Sequence, residues 1–307
     1  MSSPAPLVIL GPTASGKSDV AMALAARHAD AEIVVVDAMQ VYRGMDIGTA
    51  KPSAADRAAV PHHCLDLVEA TDEFAVTEFA GAARHALHTI GSHGRRAVVV
   101  AGTGLYLRSI TDGLEVPGRW PEVRAELDGR VGVEGIEALH RQLSELDPAA
   151  AGKMTAKNVR RVVRALEVTL GSGQPFSSFG PGVDTYPPIQ FVQFGLLWPR
   201  PLLTQRIEER VRGMIDAGLV AEVEQLGAET ISRTARQALG YKEVFDFLAG
   251  HCTLDEAIDM IITRTRQFAV RQERWFRRDP RIRWIEIDED PVATSLPVLE
   301  QAWQTSN

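Results

Sequence analysis

Short apolar runs alternate with longer amphipathic stretches along most of the chain. Five of these runs predict buried β-strands, at residues 7–10, 33–36, 97–100, 191–197 and 282–287. After the first run, the segment KSDVAMALAARH predicts a helix that begins directly behind a glycine-containing loop. A strand, a glycine-containing loop, a helix and a second strand form the start of a doubly wound parallel sheet. The pattern therefore predicts an α/β fold.

The pattern becomes purely helical in the middle of the chain. The segments PEVRAELDGRV, GIEALHRQLSEL and NVRRVVRALEVTL have helical spacing, and the glycine- and serine-rich GSGQPFSSFGPG follows them. Two further helices are predicted at 204–226 and 254–277. We therefore expect an α/β core at 1–116 and 189–307, interrupted by an all-helical insertion at 117–188.

The composition is that of an ordinary globular chain of 307 residues, with 45% hydrophobic and 24% charged residues. Cys64 and Cys252 have no paired spacing, which argues against a disulfide scaffold or a zinc site. The N-terminal apolar run is too short for a secretory signal, and no stretch approaches the roughly 18 apolar residues of a membrane-spanning helix. We expect a monomeric cytoplasmic protein without a membrane partner.

Charge is distributed unevenly along the chain. The net charge of −7 at pH 7 by itself disfavours a nucleic-acid partner. Residues 264–283, however, contain eight arginines and two acids, a local balance of +6. A second basic cluster comprises Lys153, Lys157, Arg160, Arg161 and Arg164. Two basic patches on an acidic body indicate a polyanion site, and solvated helix faces are the alternative.

The loop GPTASGKS, behind the first predicted strand, carries the clearest chemical signal. It matches the phosphate-binding pattern G-x-x-x-x-G-K-[ST] through Gly11, Gly16, Lys17 and Ser18. Backbone N–H groups of such a loop converge on phosphate oxygens, the lysine adds a positive charge, and the serine hydroxyl can hold Mg²⁺. The pattern specifies a phosphate chain with a cation, and it does not specify a nucleotide base.

Asp37 stands at the carboxyl end of the second predicted strand, where open α/β sheets place their sites. Three roles are open for it: a Mg²⁺ ligand as in P-loop nucleotide hydrolases, a general base, or a cap of the next segment. The third long strand ends in AGTGLY without an acid. A nucleotide hydrolase would therefore have to take its Mg²⁺ carboxylate from Asp37 alone.

With these motifs the chain resembles the bacterial form of the tRNA dimethylallyltransferase (tRNA isopentenyltransferase) family over nearly its whole length. The resemblance rests on GPTASGKS, DAMQVYRGMDIGTAKP, PHHCLDL, AGTGLYLRSITDGL, NVRRVVRALEV, TARQALGYKE and RTRQFAVRQERWFRR, in the family's order. It implies a P-loop NTPase-like parallel sheet and Mg²⁺ as the cofactor. It also implies transfer of a dimethylallyl group from dimethylallyl diphosphate to N6 of the adenosine immediately 3′ of the anticodon in tRNA. Ala38 and Ala101 replace the family's usual serine and glycine.

The resemblance also implies roles for single residues. Asp37 would be the general base, with Thr103 close by and Arg206, or Arg210 one turn further on, near the diphosphate. The diphosphate would lie on Gly11, Thr13, Ala14, Ser15, Gly16, Lys17 and Ser18, with Mg²⁺ on the Ser18 hydroxyl. The tRNA would contact Asp37, Ala38, Met39, Gln40, Thr103, Arg124, Arg160, Arg161 and Arg164. Independently of the resemblance, Arg264 and Arg271 are seven residues apart on one stripe of the predicted C-terminal helix, and we expect both to contact the tRNA.

Smaller features have competing interpretations. Phe268 and Trp275 lie on one stripe of the predicted C-terminal helix and could stack on bases, although such stripes are more often core. His62 and His63 are expected to be structural residues in a loop. Two other functions also stay open: an isopentenyltransferase acting on free AMP, ADP or ATP, and a P-loop small-molecule kinase or regulatory NTPase. The first would not require the helical insertion or the arginine clusters.

Overall fold

One parallel sheet organises the computed structural model, which describes residues 5–114, 116–180 and 182–305. The strands are β1 (Leu7–Leu10), β2 (Ala31–Val36), β3 (His62–His63), β4 (Arg96–Ala101), β5 (Val192–Leu197) and β6 (Ile282–Glu286). Their order across the sheet is β3-β2-β4-β1-β5-β6, and all neighbouring strands are parallel. The predicted parallel α/β fold is confirmed, and each of the five predicted strands is present.

Helices fill the connections between the strands. In chain order they are α1 (Lys17–Ala25), α2 (Ala54–Ala59), α3 (Val76–Ser92), α4 (Gly104–Thr111), α5 (Pro121–Glu134), α6 (Ile136–Leu146), α7 (Pro148–Ala151), α8 (Val159–Ser172), α9 (Arg200–Asp216), α10 (Leu219–Leu226), α11 (Arg233–Arg236), α12 (Tyr241–Leu248), α13 (Leu254–Phe276) and α14 (Pro291–Thr305). A short 3₁₀ helix spans Phe176–Ser178. None of the described helices is both long and apolar enough to span a membrane.

Two details differ from the sequence prediction. The single helix predicted at 204–226 is two helices, because Gly218 adopts a φ of 101°, a left-handed conformation that separates α9 from α10. The predicted loop at His62 and His63 contains the two-residue strand β3, which pairs with β2. His63 Nε2 also lies 2.6 Å from Glu32 Oε2, which agrees with the expected structural role of this histidine.

Burial explains why the central strands appear as continuous apolar runs. Every residue of β1 and β2 is buried, as expected for parallel strands that helices cover on both faces. Asp37 follows β2 and Gly102 follows β4 directly, so both residues lie at the carboxyl edge of the sheet. This edge is where open parallel sheets bind their ligands.

The described chain divides into two compact units. One contains the sheet and comprises the residues up to 112 and from 188 onward, and the other comprises 113–187. The second unit holds α5 to α8 and has its own hydrophobic core, which includes Leu127, Leu139, Leu143 and Leu166. The sequence prediction set the limits of this insertion at 117 and 188. Its contact with tRNA stays a prediction.

Candidate active site at the carboxyl edge of the sheet

The loop between β1 and α1 has the shape of a phosphate cradle. Gly16 is the N-cap of α1 with a φ of 83°, and the first N–H groups of a helix have no acceptors within that helix. A Cβ added at Gly16 would lie 2.6 Å from Pro291 Cγ, so this close approach also requires glycine. Ala14 is left-handed too, with a φ of 62°, a strain of about 1–3 kcal/mol in a non-glycine residue. The strained loop turns an open helix N-terminus toward the edge of the sheet.

A cavity of about 360 Å³ lies beside this loop at the carboxyl ends of β2 and β4. The predicted site residues that line it are Thr13, Ala14, Gly16, Lys17, Ser18, Asp37, Gln40, Arg206 and Arg210. Its remaining wall includes the acids Asp19 and Glu209 and the apolar side chain of Phe268. Ser15, in contrast, is fully buried beneath the loop. The structure thus brings most of the predicted donor-site residues to one cavity.

Three cations face the cavity. Arg206 Nε donates a hydrogen bond to the Ala14 carbonyl at 2.9 Å, and its guanidinium lies 4.6 Å from the ring of Trp198. Burial, together with the neighbouring charge of Arg210, lowers the pKa of Lys17 to about 8. Burial also lowers the pKa of Arg210. Because both shifts reflect the cost of holding positive charge away from water, an anion bound here would be strongly favoured.

Asp37 uses its two carboxylate oxygens differently. Oδ1 accepts hydrogen bonds from the N–H groups of Met39 at 2.8 Å and Gln40 at 3.3 Å, so the capping contact is present. Oδ2 accepts no hydrogen bond from the residues that the structure describes. This oxygen would lie only 3.6 Å from a Cβ placed at Gly102. Oδ2 is therefore available in the cavity for a proton or a metal ion.

Thr103 follows Gly102 and is the N-cap of α4. It is half-buried, and its side chain makes no capping hydrogen bond. The next residue, Gly104, packs against an indole, since a Cβ there would lie 2.1 Å from Trp275 Cδ1. Trp275 therefore has a packing role, whereas Phe268 on the same stripe lines the cavity. The contact between Gly104 and Trp275 holds the beginning of α4 against α13.

Sequence reasoning missed the residues that support the loop after Asp37. The Glu222 carboxylate accepts hydrogen bonds from the N–H groups of Asp46, Ile47 and Gly48, at 3.0, 2.7 and 3.2 Å, and from the Tyr241 hydroxyl. Burial and the contact with Glu222 hold the pKa of Tyr241 above its usual value, which keeps this hydroxyl a donor. The next two residues of the loop line the cavity. Glu222 is 174 to 176 residues away from the backbone groups that it binds. In the sequence it is only one acidic residue in a helix of mixed polarity, so nothing there indicated this contact.

The predicted tRNA-contacting arginines of the helical unit fall into two groups. Arg164 Nη1 donates to the buried Glu167 at 2.7 Å, and Arg124 Nη1 lies 3.8 Å from the same carboxylate. These two arginines therefore stabilise the unit itself. Arg160 and Arg161 are exposed in the first turn of α8. The second pair is the more accessible to a polyanion.

The predicted contacts on α13 also differ from each other. Arg264 is half-buried and pairs with the buried carboxylate of Glu243. Arg271 is exposed, with its guanidinium 5.8 Å from the ring of Phe268, which lines the cavity. Of the predicted residues on the loop after β2, Gln40 is almost fully buried, and its amide donates to the Thr49 carbonyl at 2.9 Å. Arg271 is therefore an exposed cation beside a residue that lines the cavity.

Fold and site together define a P-loop-type transferase, with a phosphate cradle and a carboxylate in one cavity. A family model described as IPP transferase matches residues 40–279, and one described as isopentenyl transferase matches residues 6–66. The tRNA dimethylallyltransferase of Kineococcus radiotolerans is 47% identical, with 96% of each chain covered. That of Streptomyces avermitilis is 46% identical, over 92% of this chain and 91% of the relative. The chain belongs to the tRNA dimethylallyltransferase family, whose members are prenyltransferases.

Solved structures agree with this assignment. The full-length tRNA isopentenylpyrophosphate transferase of Bacillus halodurans is 35% identical with a TM-score of 0.71, covering 98% of this chain and 96% of that one. A eukaryotic dimethylallyltransferase acting on tRNA has a TM-score of 0.75 at 24% identity, over 97% of this chain and 77% of that one, which supports the fold alone. The predicted family and enzyme class are confirmed, and neither the free-nucleotide enzyme nor the kinase is favoured.

Proposed function

We propose that this enzyme transfers a dimethylallyl group from dimethylallyl diphosphate to N6 of the adenosine immediately 3′ of the anticodon in tRNA. The observation that carries the proposal is a single cavity in which desolvated cations and an open helix N-terminus face the Asp37 carboxylate. The similarity to tRNA dimethylallyltransferases supports tRNA as the acceptor. We also propose that the enzyme acts in the cytoplasm, where tRNA is found. We further propose that it is a monomer, which a measurement of its mass in solution by light scattering would test.

The cradle residues would hold the diphosphate. As the allylic C–O bond breaks, negative charge collects on the leaving diphosphate. The N–H groups of Gly16, Lys17 and Ser18 would stabilise that charge together with the Lys17 ammonium and the Arg210 guanidinium, since these residues line the cavity at the open end of α1. Arg206 bonds to the cradle backbone through Nε, so it supports the loop as well as facing the cavity.

The oxygen donors of the cavity suit Mg²⁺. The Ser18 hydroxyl and the carboxylates of Asp19 and Asp37 line it, and Mg²⁺ usually takes one or two carboxylates together with substrate phosphates. Among the described residues no group of three or more His, Cys, Asp or Glu could hold a metal ion, so binding would depend on the diphosphate. When bound, Mg²⁺ would neutralise part of the diphosphate charge.

Asp37 would accept the proton that the acceptor nitrogen loses. Adenine N6 is a poor nucleophile because its lone pair is delocalised into the ring. The new bond joins N6 to the allylic carbon, the C–O bond to the diphosphate breaks, and one N6 proton passes to Asp37 Oδ2. The base must leave its stack to reach the cavity, as in other base-modifying enzymes. Thr103 would lie beside it, next to Gly102.

The tRNA would bind through the exposed cations and the loop after β2. Arg271 at the rim and Arg160 and Arg161 on the helical unit offer accessible charge to phosphates. Three other arginines would contribute mainly by stabilising the parts of the protein that carry these exposed cations, because each already pairs with a buried carboxylate: Arg264, Arg124 and Arg164. Ala38, Met39 and Gln40 follow Asp37 and would approach the extruded base.

A transfer assay with labelled dimethylallyl diphosphate and Mg²⁺ tests the proposal. Three acceptors are compared: unmodified tRNA, the same tRNA with guanosine in place of the target adenosine, and AMP. We expect label on the first acceptor alone. Label on AMP but not on tRNA would show the free-nucleotide enzyme, and ATP consumption without prenyl transfer would show a kinase or NTPase.

A further inference from the structure

The side chain of Gln272 on α13 connects two walls of the cavity. Its Oε1 accepts a hydrogen bond from the N–H of Thr13 at 2.9 Å, and its Nε2 donates to the carbonyl of Gly102 at 2.7 Å. The residue is only 8% exposed, and it lines the cavity. The position requires an acceptor on one side and a donor on the other, which a neutral amide supplies.

These contacts lie where the two halves of the proposed chemistry meet. A Cβ placed on Gly102 would be 3.4 Å from both Gln272 Nε2 and Lys17 Cε, and 3.6 Å from Asp37 Oδ2. The carbonyl held by Gln272 therefore belongs to a residue that lies close to both Lys17 and the proposed base. The N–H held by Gln272 belongs to the phosphate cradle.

The contact with Thr13 also determines which backbone N–H groups can bind dimethylallyl diphosphate. The Thr13 N–H points to Gln272, and the Ser15 N–H bonds to the Pro12 carbonyl at 3.3 Å. The amides of Gly16, Lys17 and Ser18, at the open end of α1, are left to face an anion. Gln272 thus holds the loop at Thr13 and leaves the N–H groups of Gly16, Lys17 and Ser18 open.

We propose that Gln272 is a positioning residue that sets the distance between the diphosphate cradle and Asp37. This inference rests on the proposed function. Displacement of reacting groups by about 1 Å can cost about 10²-fold in rate, so a bridge between the two sides of the cavity has a direct effect on turnover. Since the bridge comes from α13, the helix with the exposed Arg271, the same element supports the cavity and the predicted tRNA surface.

Gln272→Glu and Gln272→Met test the bridge, with Gln267→Glu as the matched control on the exposed face of the same helix. The ionised glutamate still accepts from Thr13, but it repels the Gly102 carbonyl. When the glutamate is protonated, its O–H group can donate a hydrogen bond to the Gly102 carbonyl again. Burial at this position should raise the pKa of the introduced carboxyl. We therefore expect kcat of Gln272→Glu to fall about 10-fold to 100-fold at pH 8 and to recover relative to wild type as the pH falls toward that raised pKa. Methionine should lower kcat at every pH.

Comparing kcat of Gln272→Glu with kcat of the wild type at each pH separates the titration of the introduced carboxyl from that of the other groups in the cavity. The other charged or titratable groups facing this cavity are present in both enzymes: Lys17, Asp19, Asp37, Arg206, Glu209 and Arg210. Tm is measured alongside kcat, and the Kd of an anticodon stem-loop serves as a second readout. We expect that Kd to change by less than about twofold, because Gln272 lies inside the cavity.

The possible results are distinct. Variants that lower Tm but leave kcat and KM unchanged below Tm would overturn the inference, and so would a loss in Gln272→Glu that is equal at every pH. An effect of the same size in Gln267→Glu would also overturn it. Absence of transfer by the wild-type enzyme would instead overturn the proposed function on which the inference rests.

Discussion

Substitution of Asp37 by asparagine separates the two functions of this side chain. The asparagine Oδ1 can still accept the N–H groups of Met39 and Gln40, so the loop after β2 keeps its shape. The amide nitrogen replaces Oδ2, the oxygen that accepts no hydrogen bond within the described part of the chain, and it cannot take a proton from adenine N6. General base catalysis contributes about 10²-fold to 10⁴-fold. The activation barrier should therefore rise by about 2.7–5.4 kcal/mol.

Asp37→Ala is the matched comparison, because it removes both functions. Loss of the two backbone contacts should cost about 1 kcal/mol of folding free energy and lower Tm by about 2 °C. Asp37→Asn should leave Tm and tRNA binding unchanged. Single-turnover transfer with saturating tRNA and donor measures the chemical step directly. Turnover by Asp37→Asn within about threefold of wild type would remove Asp37 from the role of base, and a mere capping role would then suffice.

Other consequences of the structure can be measured with the same enzyme. Because the pKa of Lys17 lies near 8, the affinity for diphosphate should fall as the pH rises above 8. Binding at pH 8.5 should take up protons, which calorimetry in buffers of different ionisation enthalpy measures. Lys17→Arg should make the affinity for diphosphate less dependent on pH. Replacement of both Arg160 and Arg161 by alanine should reduce the slope of log K against log salt for tRNA by about 0.7–0.9 per lost phosphate contact, whereas alanine at the exposed Arg141 should leave it unchanged. Glu222→Ala should destabilise the fold by about 3 kcal/mol or more in urea unfolding, because three backbone N–H groups lose a charged acceptor; an effect below about 1 kcal/mol would show that water replaces it.

The parts of this fold that sequence reveals are those with local causes. The central strands are predictable because helices bury both of their faces, and the cradle is predictable because its glycine and lysine spacing follows from phosphate geometry. The strand β3 has only two residues, too few for any periodicity. Gly218 ends α9 through its φ of 101°, which the surrounding helical pattern conceals.

The candidate site shows the same division. Lys17 and Asp37 are visible in the sequence because each stands next to a strand or loop with a recognisable pattern. Gln272 and Glu222 are not, since their backbone partners are between 170 and 259 residues away in the chain, and a glutamine or glutamate in a helix has no distinctive spacing. Likewise the sequence counts Arg160 and Arg164 as equal charges, whereas the structure shows one exposed and the other paired with Glu167.

The separate hydrophobic core of residues 113–187 has a consequence for how such an enzyme can change over time. Leu139 and Leu143 pack in the core of this unit, whereas Lys17 and Asp37 belong to the unit that contains the sheet. With the proposed tRNA contact on the helical unit and the proposed transfer in the other, the choice of RNA and the transfer of the prenyl group could diversify independently, and the helical unit would be a natural segment for exchange between relatives.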